Sequence, residues 1–271
     1  MDSVPAASGS FRNHVDPKMR SGEFASKLSN TRFVLLGARS LRLSAYSSVL
    51  LDLGVTPASI ILYNESKQHI PRDYPAASDS SWSPLPDWLR KDWGKDFDSL
   101  LSHTKESHFF SESLSSSELI QTLQRTIPDY VIYAGAAGNI VPKEILDIAP
   151  VIHIHPGALP MFRGSTTIYW ALLQEMRPTC TVMFLNEYID QGLIIHEKVC
   201  SMPTPLSELD SLYDAGVRAE TLKEVLVMLA KDELRLKEQN SQGKDYYVIH
   251  PVLKNLVLSL LREGSLNIRD H

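Results

Sequence analysis

RFVLLGARSLRLSAYSSVLLDLGVTPASIILY, residues 32–63, decides the fold class. It opens with RFVLLG (32–37), a short continuous apolar run ending in glycine, the pattern of a strand buried on both faces. In SLRLSAYSSVLLDLG (40–54), Leu43, Ser47, Leu50 and Leu51 recur at helical spacing, and Gly54 supplies a stop. SIILY (59–63) is a second apolar run. Strand, helix and strand within about thirty residues make a βαβ unit, which requires a parallel sheet.

The alternation continues downstream. SHFF (107–110), YVIYAG (130–135) and VIHIH (151–155) read as strands. SELIQTLQRTI (117–127) reads as a helix from a serine cap, and PKEILDIA (142–149) as one opened by Pro142, with Ile145 and Leu146 on one face. TTIYWALLQEM (166–176) is a further helix, and TCTVMFLNE and LIIHEKVC flank YIDQG as a hairpin. Residues 206–230 read as a long helix capped by Ser207, with Leu222, Val225, Leu226 and Leu229 as its buried stripe. YYVIHP and a last helix, VLKNLVLSLLRE (252–263), complete the chain's regular pattern. The expected fold is α/β: a Rossmann-like, mostly parallel sheet flanked by helices, with a small C-terminal extension. Residues 1–30 are expected as a flexible tail, 31–203 as the main domain and 204–271 as a helical extension packed on it. The stretch 64–105 holds three of the four tryptophans and reads as a surface loop with a short helix, either functional or simply packed.

Composition narrows the function classes. A formal charge of −5 argues against a nucleic-acid footprint. Two cysteines, Cys180 and Cys200, make neither a disulfide framework nor a zinc quartet, and are expected as reduced thiols packed in the core. No apolar run approaches the roughly 18–20 residues that span a bilayer, and the N-terminus lacks a signal peptide's apolar centre. A cytoplasmic protein with no membrane partner is expected.

His153 and His155 lie two apart on one strand, so they emerge on the same face, just before the Pro156-Gly157 break. In an open α/β sheet, ligands bind beyond the carboxyl ends of the strands. Three readings of the pair stand. Both histidines can be core residues bonded to backbone. They can be metal ligands, completed by Asp190 or His196. They can do acid–base chemistry with Asp190, which sets a histidine's tautomer and stabilises its charged form.

VIHIHPGALPMFRGSTTIYWALL followed by CTVMFLNEYIDQGLII resembles the core of the 10-formyltetrahydrofolate-dependent formyltransferases. That family's pattern is Asn-x-His-Pro/Gly-Ser/Gly-x-Leu-Pro, then Arg-Gly, a strand and Asp-x-Gly. The likeness runs from about Tyr130 to Leu229 and includes YAGAAGNIVPKEIL and LYDAG. The resemblance implies that His155 and Asp190 are catalytic, that Gly138, Asn139, Ile140 and Val141 line one wall of a pterin pocket, and that Asn186, Glu187, Tyr188 and Ile189 line the other. His153 stands where the family has its catalytic asparagine. A histidine there can donate a hydrogen bond to the developing oxyanion, as the carboxamide would. His155 is expected to polarise the formyl oxygen, held charged by Asp190, which receives the amine's proton. Gly37 and Arg39 of the GARS loop, with Arg163, are the substrate-side candidates.

The implied cofactor is 10-formyltetrahydrofolate and the implied partner an amine, with formyl-folate hydrolysis and a non-catalytic ligand- or metal-binding relative as alternatives. About forty residues come after the long helix, too few for the tRNA domain of methionyl-tRNA formyltransferases, so a small-molecule amine such as one on a sugar nucleotide is expected. The apolar last helix permits a homodimer.

Overall fold

The apolar run that opens the fold is strand β1 (Phe33–Gly37), buried at every position in the computed structural model, which describes residues 27–64, 93–104, 106–110, 112–135, 138–203, 209–240 and 242–269. The side chain of Ser40 accepts a hydrogen bond from Leu43 N–H and starts α1 (Leu41–Asp52). β2 (Ser59–Leu62) returns parallel to β1, with Leu35 opposite Ile60. The alternation then runs α2 (Trp93–His103), β3 (Ser107–Phe109), α3 (Ser117–Thr126), β4 (Tyr130–Ala134), α4 (Lys143–Leu146) and β5 (Val151–His155). After β6 (Phe162–Gly164) and α5 (Thr167–Leu173), the expected hairpin forms as β7 (Thr179–Phe184) and β8 (Ile194–Val199). α6 (Asp214–Ala230), β9 (Lys244–Tyr246) and α7 (Pro251–Arg262) complete the described elements.

Among the described residues the main sheet has seven strands in the order β3-β2-β1-β4-β5-β7-β8. The first five are parallel and the hairpin is antiparallel. The order reverses between β1 and β4, the place where such sheets open a crevice at their carboxyl ends. β6 and β9 form a separate two-stranded ladder. The sheet thus agrees with the Rossmann-like, mostly parallel expectation.

Alternation along β5 assigns its faces. Ile152 and Ile154 join the apolar cluster of α1 and α6, which includes Leu43, Leu50, Leu222 and Val225. Val151 joins the opposite cluster, with Leu119, Leu123 and Ile145 of α3 and α4. His153 and His155 share the face of Val151, at the carboxyl end of the strand.

Several boundaries differ from the expectation. Residues 27–30 are helical and Leu28 is buried in the core, so the ordered domain begins before residue 31. The long helix begins with a π-helical turn (Leu209–Tyr213), and α6 is one of the layers that cover the sheet. The chain after residue 230 reaches the same core: Val257 of α7 is fully buried, and Leu253, Leu258 and Leu261 lie against that cluster. α3 starts after Ser116, whose side chain makes no capping bond. The predicted Ser207 cap, most of the tail at 1–30, and Trp82 and Trp88 of the predicted loop lie outside the described residues. Phe97 and Leu100 of α2 are core residues, so that end of the loop is packed. Cys180 and Cys200 are both buried and unbridged, and burial pushes the Cys180 thiol far above its usual range.

Candidate active site

The break after β5 folds the chain back over its own histidine. A side chain at Gly157 would sit 2.8 Å from His155 Nε2 and 2.8 Å from the Phe162 carbonyl oxygen, so only glycine fits there. Two hydroxyls pin the turn: Thr167 Oγ1 donates to the Pro156 carbonyl and Thr181 Oγ1 to the Gly157 carbonyl, each at 2.6 Å. The returning chain sets the Phe162 carbonyl oxygen 2.6 Å from His155 Nε2. A carbonyl only accepts, so Nε2 carries the proton, and in the neutral ring Nδ1 is left with a lone pair. His155 is 2% exposed.

Asp190 reaches this point from the β7–β8 connection, in left-handed backbone at φ 50°. The connection is tied by Asn186, whose Oδ1 accepts from Tyr188 N–H at 3.0 Å and whose Nδ2 donates to the Gln191 carbonyl at 3.2 Å. Asp190 Oδ2 accepts from Gly164 N–H at 2.7 Å and lies 3.4 Å from His155 Nδ1. Gln239 holds the loop from the other side, its Nε2 donating to the Asp190 and Gly192 carbonyls at 2.9 Å each.

Burial dominates the histidine electrostatics. It lowers the pKa of His155 below the ordinary imidazole range, against the pull of the Asp190 carboxylate and the Phe162 carbonyl. His153 is pushed further down by burial, then by Arg218, His155 and Arg42. Its Nδ1 is buried without a hydrogen-bond partner among the described residues, and its ring lies 6.0 Å from that of Tyr133. Under β5, Arg218 donates to the Ile154 carbonyl and, at 2.9 Å, to Asp214 Oδ1, while Arg42 Nη2 lies 3.3 Å from Asp214 Oδ2. Burial alone would raise Asp214, but the guanidinium of Arg218, helped by Arg42, holds its carboxyl below the usual range. Burial thus opposes the charged His155 expected from the sequence, and its Nε2–H is spent on the Phe162 carbonyl.

The remaining predicted residues divide. Gly138, Asn139 and Ile140 are exposed on the loop after β4, with Asn139 Nδ2 donating to Tyr63 Oη at 3.2 Å. Val141 is a core residue and props this loop from below. Glu187, Tyr188 and Ile189 are exposed on the facing connection, and Glu187 pairs at 3.0 Å with Lys143, beside the first loop. At Gly37 a side chain would meet the Ala134 carbonyl oxygen at 2.7 Å, so close strand packing accounts for the glycine. Arg39 stacks over Phe97 and Phe109 at 5.4 and 5.9 Å. Arg163 is buried, and its guanidinium donates to Gln239 Oε1 and the Asn240 carbonyl, so it braces Gln239 and does not face a substrate. His196 pairs with Glu224 at 2.9 Å between β8 and α6, away from the trio, and does not join it. Sequence reasoning missed Gln239, which lies in a polar stretch with no periodicity, and the buried pair Asp214–Arg218. The i,i+4 spacing of that pair on an otherwise apolar helix was the available signal.

Among the described residues, a hollow of about 400 Å³ along α6, lined by Glu220, Lys223, Glu224 and Lys231, does not include His153, His155 or Asp190. Another, about 360 Å³, runs along Asn186, Gln191, Gly192, Leu193 and Gln239, next in sequence to Asp190. A ring nitrogen from each of His153 and His155 and a carboxylate oxygen of Asp190 lie within 4.8 Å of one another, close enough for proton exchange or for a shared ion.

Residues 90–228 match the formyl transferase family. A methionyl-tRNA formyltransferase of Syntrophus aciditrophicus is 31% identical over 140 residues, 50% of this chain and 43% of that protein. One from Campylobacter lari is 38% identical over 96 residues, 35% of this chain and 31% of that protein. The chain thus spans less than half the length of these curated relatives. In overall fold it is similar to a sugar N-formyltransferase from a Shewanella species, with TM-score 0.54 and 16% identity over 84% of this chain and 86% of that one. A 4-N formyltransferase from Francisella tularensis gives TM-score 0.51 and 12% identity over 84% and 86% of the two chains.

Proposed function

This chain belongs to the formyl transferase family, and on that premise we propose that it moves a formyl group from 10-formyltetrahydrofolate to an amine of a small molecule. The observation that carries the reading is the buried pair of His155 Nδ1 and Asp190 Oδ2, 3.4 Å apart at the carboxyl end of β5.

The residues around the pair fit a folate. Ile140, Tyr188 and Ile189 stand 64%, 67% and 54% exposed on the two connections that the Lys143–Glu187 pair links, an apolar surface suited to a flat pterin. Bound there, the folate supplies an activated formyl carbon. The chain's own groups do the rest. An amine that attacks a carbonyl carbon must lose a proton, and the gap between His155 Nδ1 and Asp190 Oδ2 offers two acceptors for it. Gly164 N–H and Gln239 keep the Asp190 loop fixed during that transfer. In this reading His153, in the place of the family's asparagine, is the donor to the developing negative charge: its neutral ring carries one N–H and leaves the other nitrogen with a lone pair. One such donor is worth about 3–4 kcal/mol of barrier.

A small amine suits the acidic chain, whose net charge of −5 disfavours a polyanionic acceptor. Among the described residues no helix is long and apolar enough to cross a membrane. The reading includes a cytoplasmic setting.

The test is incubation of the purified chain with 10-formyltetrahydrofolate and a panel of amines, sugar nucleotides and charged tRNA. Amine-dependent release of tetrahydrofolate with a formylated small molecule is the expected result. Formate release without any amine would establish hydrolysis instead, and consumption only with charged tRNA would reassign the acceptor.

A further inference from the structure

We infer that His153, His155 and Asp190 also form a binding site for a single divalent transition-metal ion of the zinc class. The inference starts from an excess of acceptors. His155 spends its Nε2–H on the Phe162 carbonyl at 2.6 Å, so its Nδ1 lone pair faces Asp190 Oδ2 across 3.4 Å. Two buried acceptors opposed in this way require a positive centre between them. A proton serves those two. His153 brings a third ring to the same place, with a ring nitrogen within 4.8 Å of the other two ligand atoms and with Nδ1 buried and unpartnered. One proton bridges two acceptors, whereas a divalent ion accepts three or more.

The geometry suits that ion. Ligands about 2.1 Å from a tetrahedral zinc lie roughly 3.4 Å from one another. The His155–Asp190 separation of 3.4 Å already has this value. With no ligand pair beyond 4.8 Å, His153 needs to close by at most about 1.4 Å. The supporting shell is also in place. A ligating histidine ordinarily donates its other ring N–H to a carbonyl, and a ligating carboxylate is itself hydrogen-bonded. Phe162 and Gly164 play those parts here. Two imidazoles and one carboxylate leave a fourth position open, and this donor set suits zinc or ferrous iron rather than calcium or magnesium. The nearest fixed cations, Arg42 and Arg218, lie on the α1–α6 side of β5 and share Asp214, which limits their repulsion.

The binding stands by itself. Its consequence for the reaction rests on the function proposed above: the ion and the amine's proton compete for the same lone pairs, so zinc inhibits formyl transfer.

The experiment uses the full chain, purified without a histidine tag, stripped with chelator and titrated with Co²⁺ as a spectroscopic stand-in for zinc. One equivalent of cobalt with visible d–d absorption is expected. His153→Asn should weaken binding at least about a hundredfold, more than loss of a supporting partner would, while His196→Ala should leave it unchanged. Circular dichroism of each variant separates lost ligation from lost folding, and Asp190→Asn gives a second variant. Binding that persists in His153→Asn, or stoichiometry far below one in folded wild type, overturns the site. One-to-one cobalt binding in a chain inactive on every amine would support the site and sink the function. Formyl transfer by a chain that binds no cobalt would sink the site alone. Activation by zinc would contradict the competition.

Discussion

Asp190 Oδ2 lies 3.4 Å from His155 Nδ1 while it accepts from Gly164 N–H at 2.7 Å, so one carboxylate oxygen ties the β7–β8 connection both to the end of β5 and to β6. Each partner comes from a different stretch of the chain, and the pair exists only because the Pro156-Gly157 turn folds β6 back over His155. In Asp190→Asn the side-chain oxygen still accepts from Gly164, so the fold is expected to persist. The proton acceptor is lost, and kcat should fall by roughly a hundredfold to ten-thousandfold with little change in KM for the folate. Steady-state kinetics check this, and a loss below tenfold would contradict the role of Asp190.

Gln239 is a positioning residue. Its Nε2 bridges the Asp190 and Gly192 carbonyls and its Oε1 is braced by Arg163. Gln239→Ala frees two buried carbonyls, at a cost of about 1–3 kcal/mol in stability. Looser placement of Asp190 should lower kcat about tenfold and leave the folate's KM nearly unchanged. Calorimetric melting and the split between kcat and KM test the two halves separately. An unchanged kcat in the folded variant would make Gln239 purely structural.

Stability should depend on pH through the two histidines. Burial holds both below the ordinary value of 6.5 in the folded chain. The unfolded chain therefore binds more protons once the pH drops below about 6.5, and stability falls as pH falls, by up to about 1.4 kcal/mol per pH unit for each group. Above that pH this contribution is complete. Thermal melts between about pH 7.5 and pH 5.5 should show a falling Tm in wild type and a shallower fall in His153→Asn. Parallel curves would show that His153 is not buried neutral.

Asp214 carries the charge balance beneath β5. Asp214→Asn leaves Arg218, buried and bonded to the Ile154 carbonyl, without its carboxylate. Breaking such a pair costs about 3–5 kcal/mol, measurable by chemical denaturation. A cost under about 1 kcal/mol would mean that solvent already screens the cluster.

The longer strands of the main sheet were legible from their apolar runs. β1, β2 and β4 stand out as apolar runs, and the β7–β8 hairpin is marked by Asp190-Gln191-Gly192 between two such runs. β6 and β9 were not legible, because three-residue strands paired across eighty residues of chain leave no periodicity. His155 and Asp190 were singled out in the sequence by residue type and pattern, and the fold brings them 3.4 Å apart. Arg163 was misread for the opposite reason: an arginine beside a glycine near a site looks like a ligand group, and only packing shows that Gln239 and Asn240 consume its donors. Val141 likewise sits within a loop motif yet points into the core. Gln239 lies some fifty residues from Asp190, in polar sequence where no local rule selects it.

The most direct test of the account is a calorimetric titration of the chain with 5-formyltetrahydrofolate, a stable stand-in for the 10-formyl donor. Wild type should bind one equivalent, with a rise of about 2.7 kcal/mol in stability at a hundred times Kd, and Ile140→Asp should lose most of that affinity. Absence of binding at millimolar ligand, or equal affinity in Ile140→Asp, would contradict a folate site between the loops at 138–140 and 187–189.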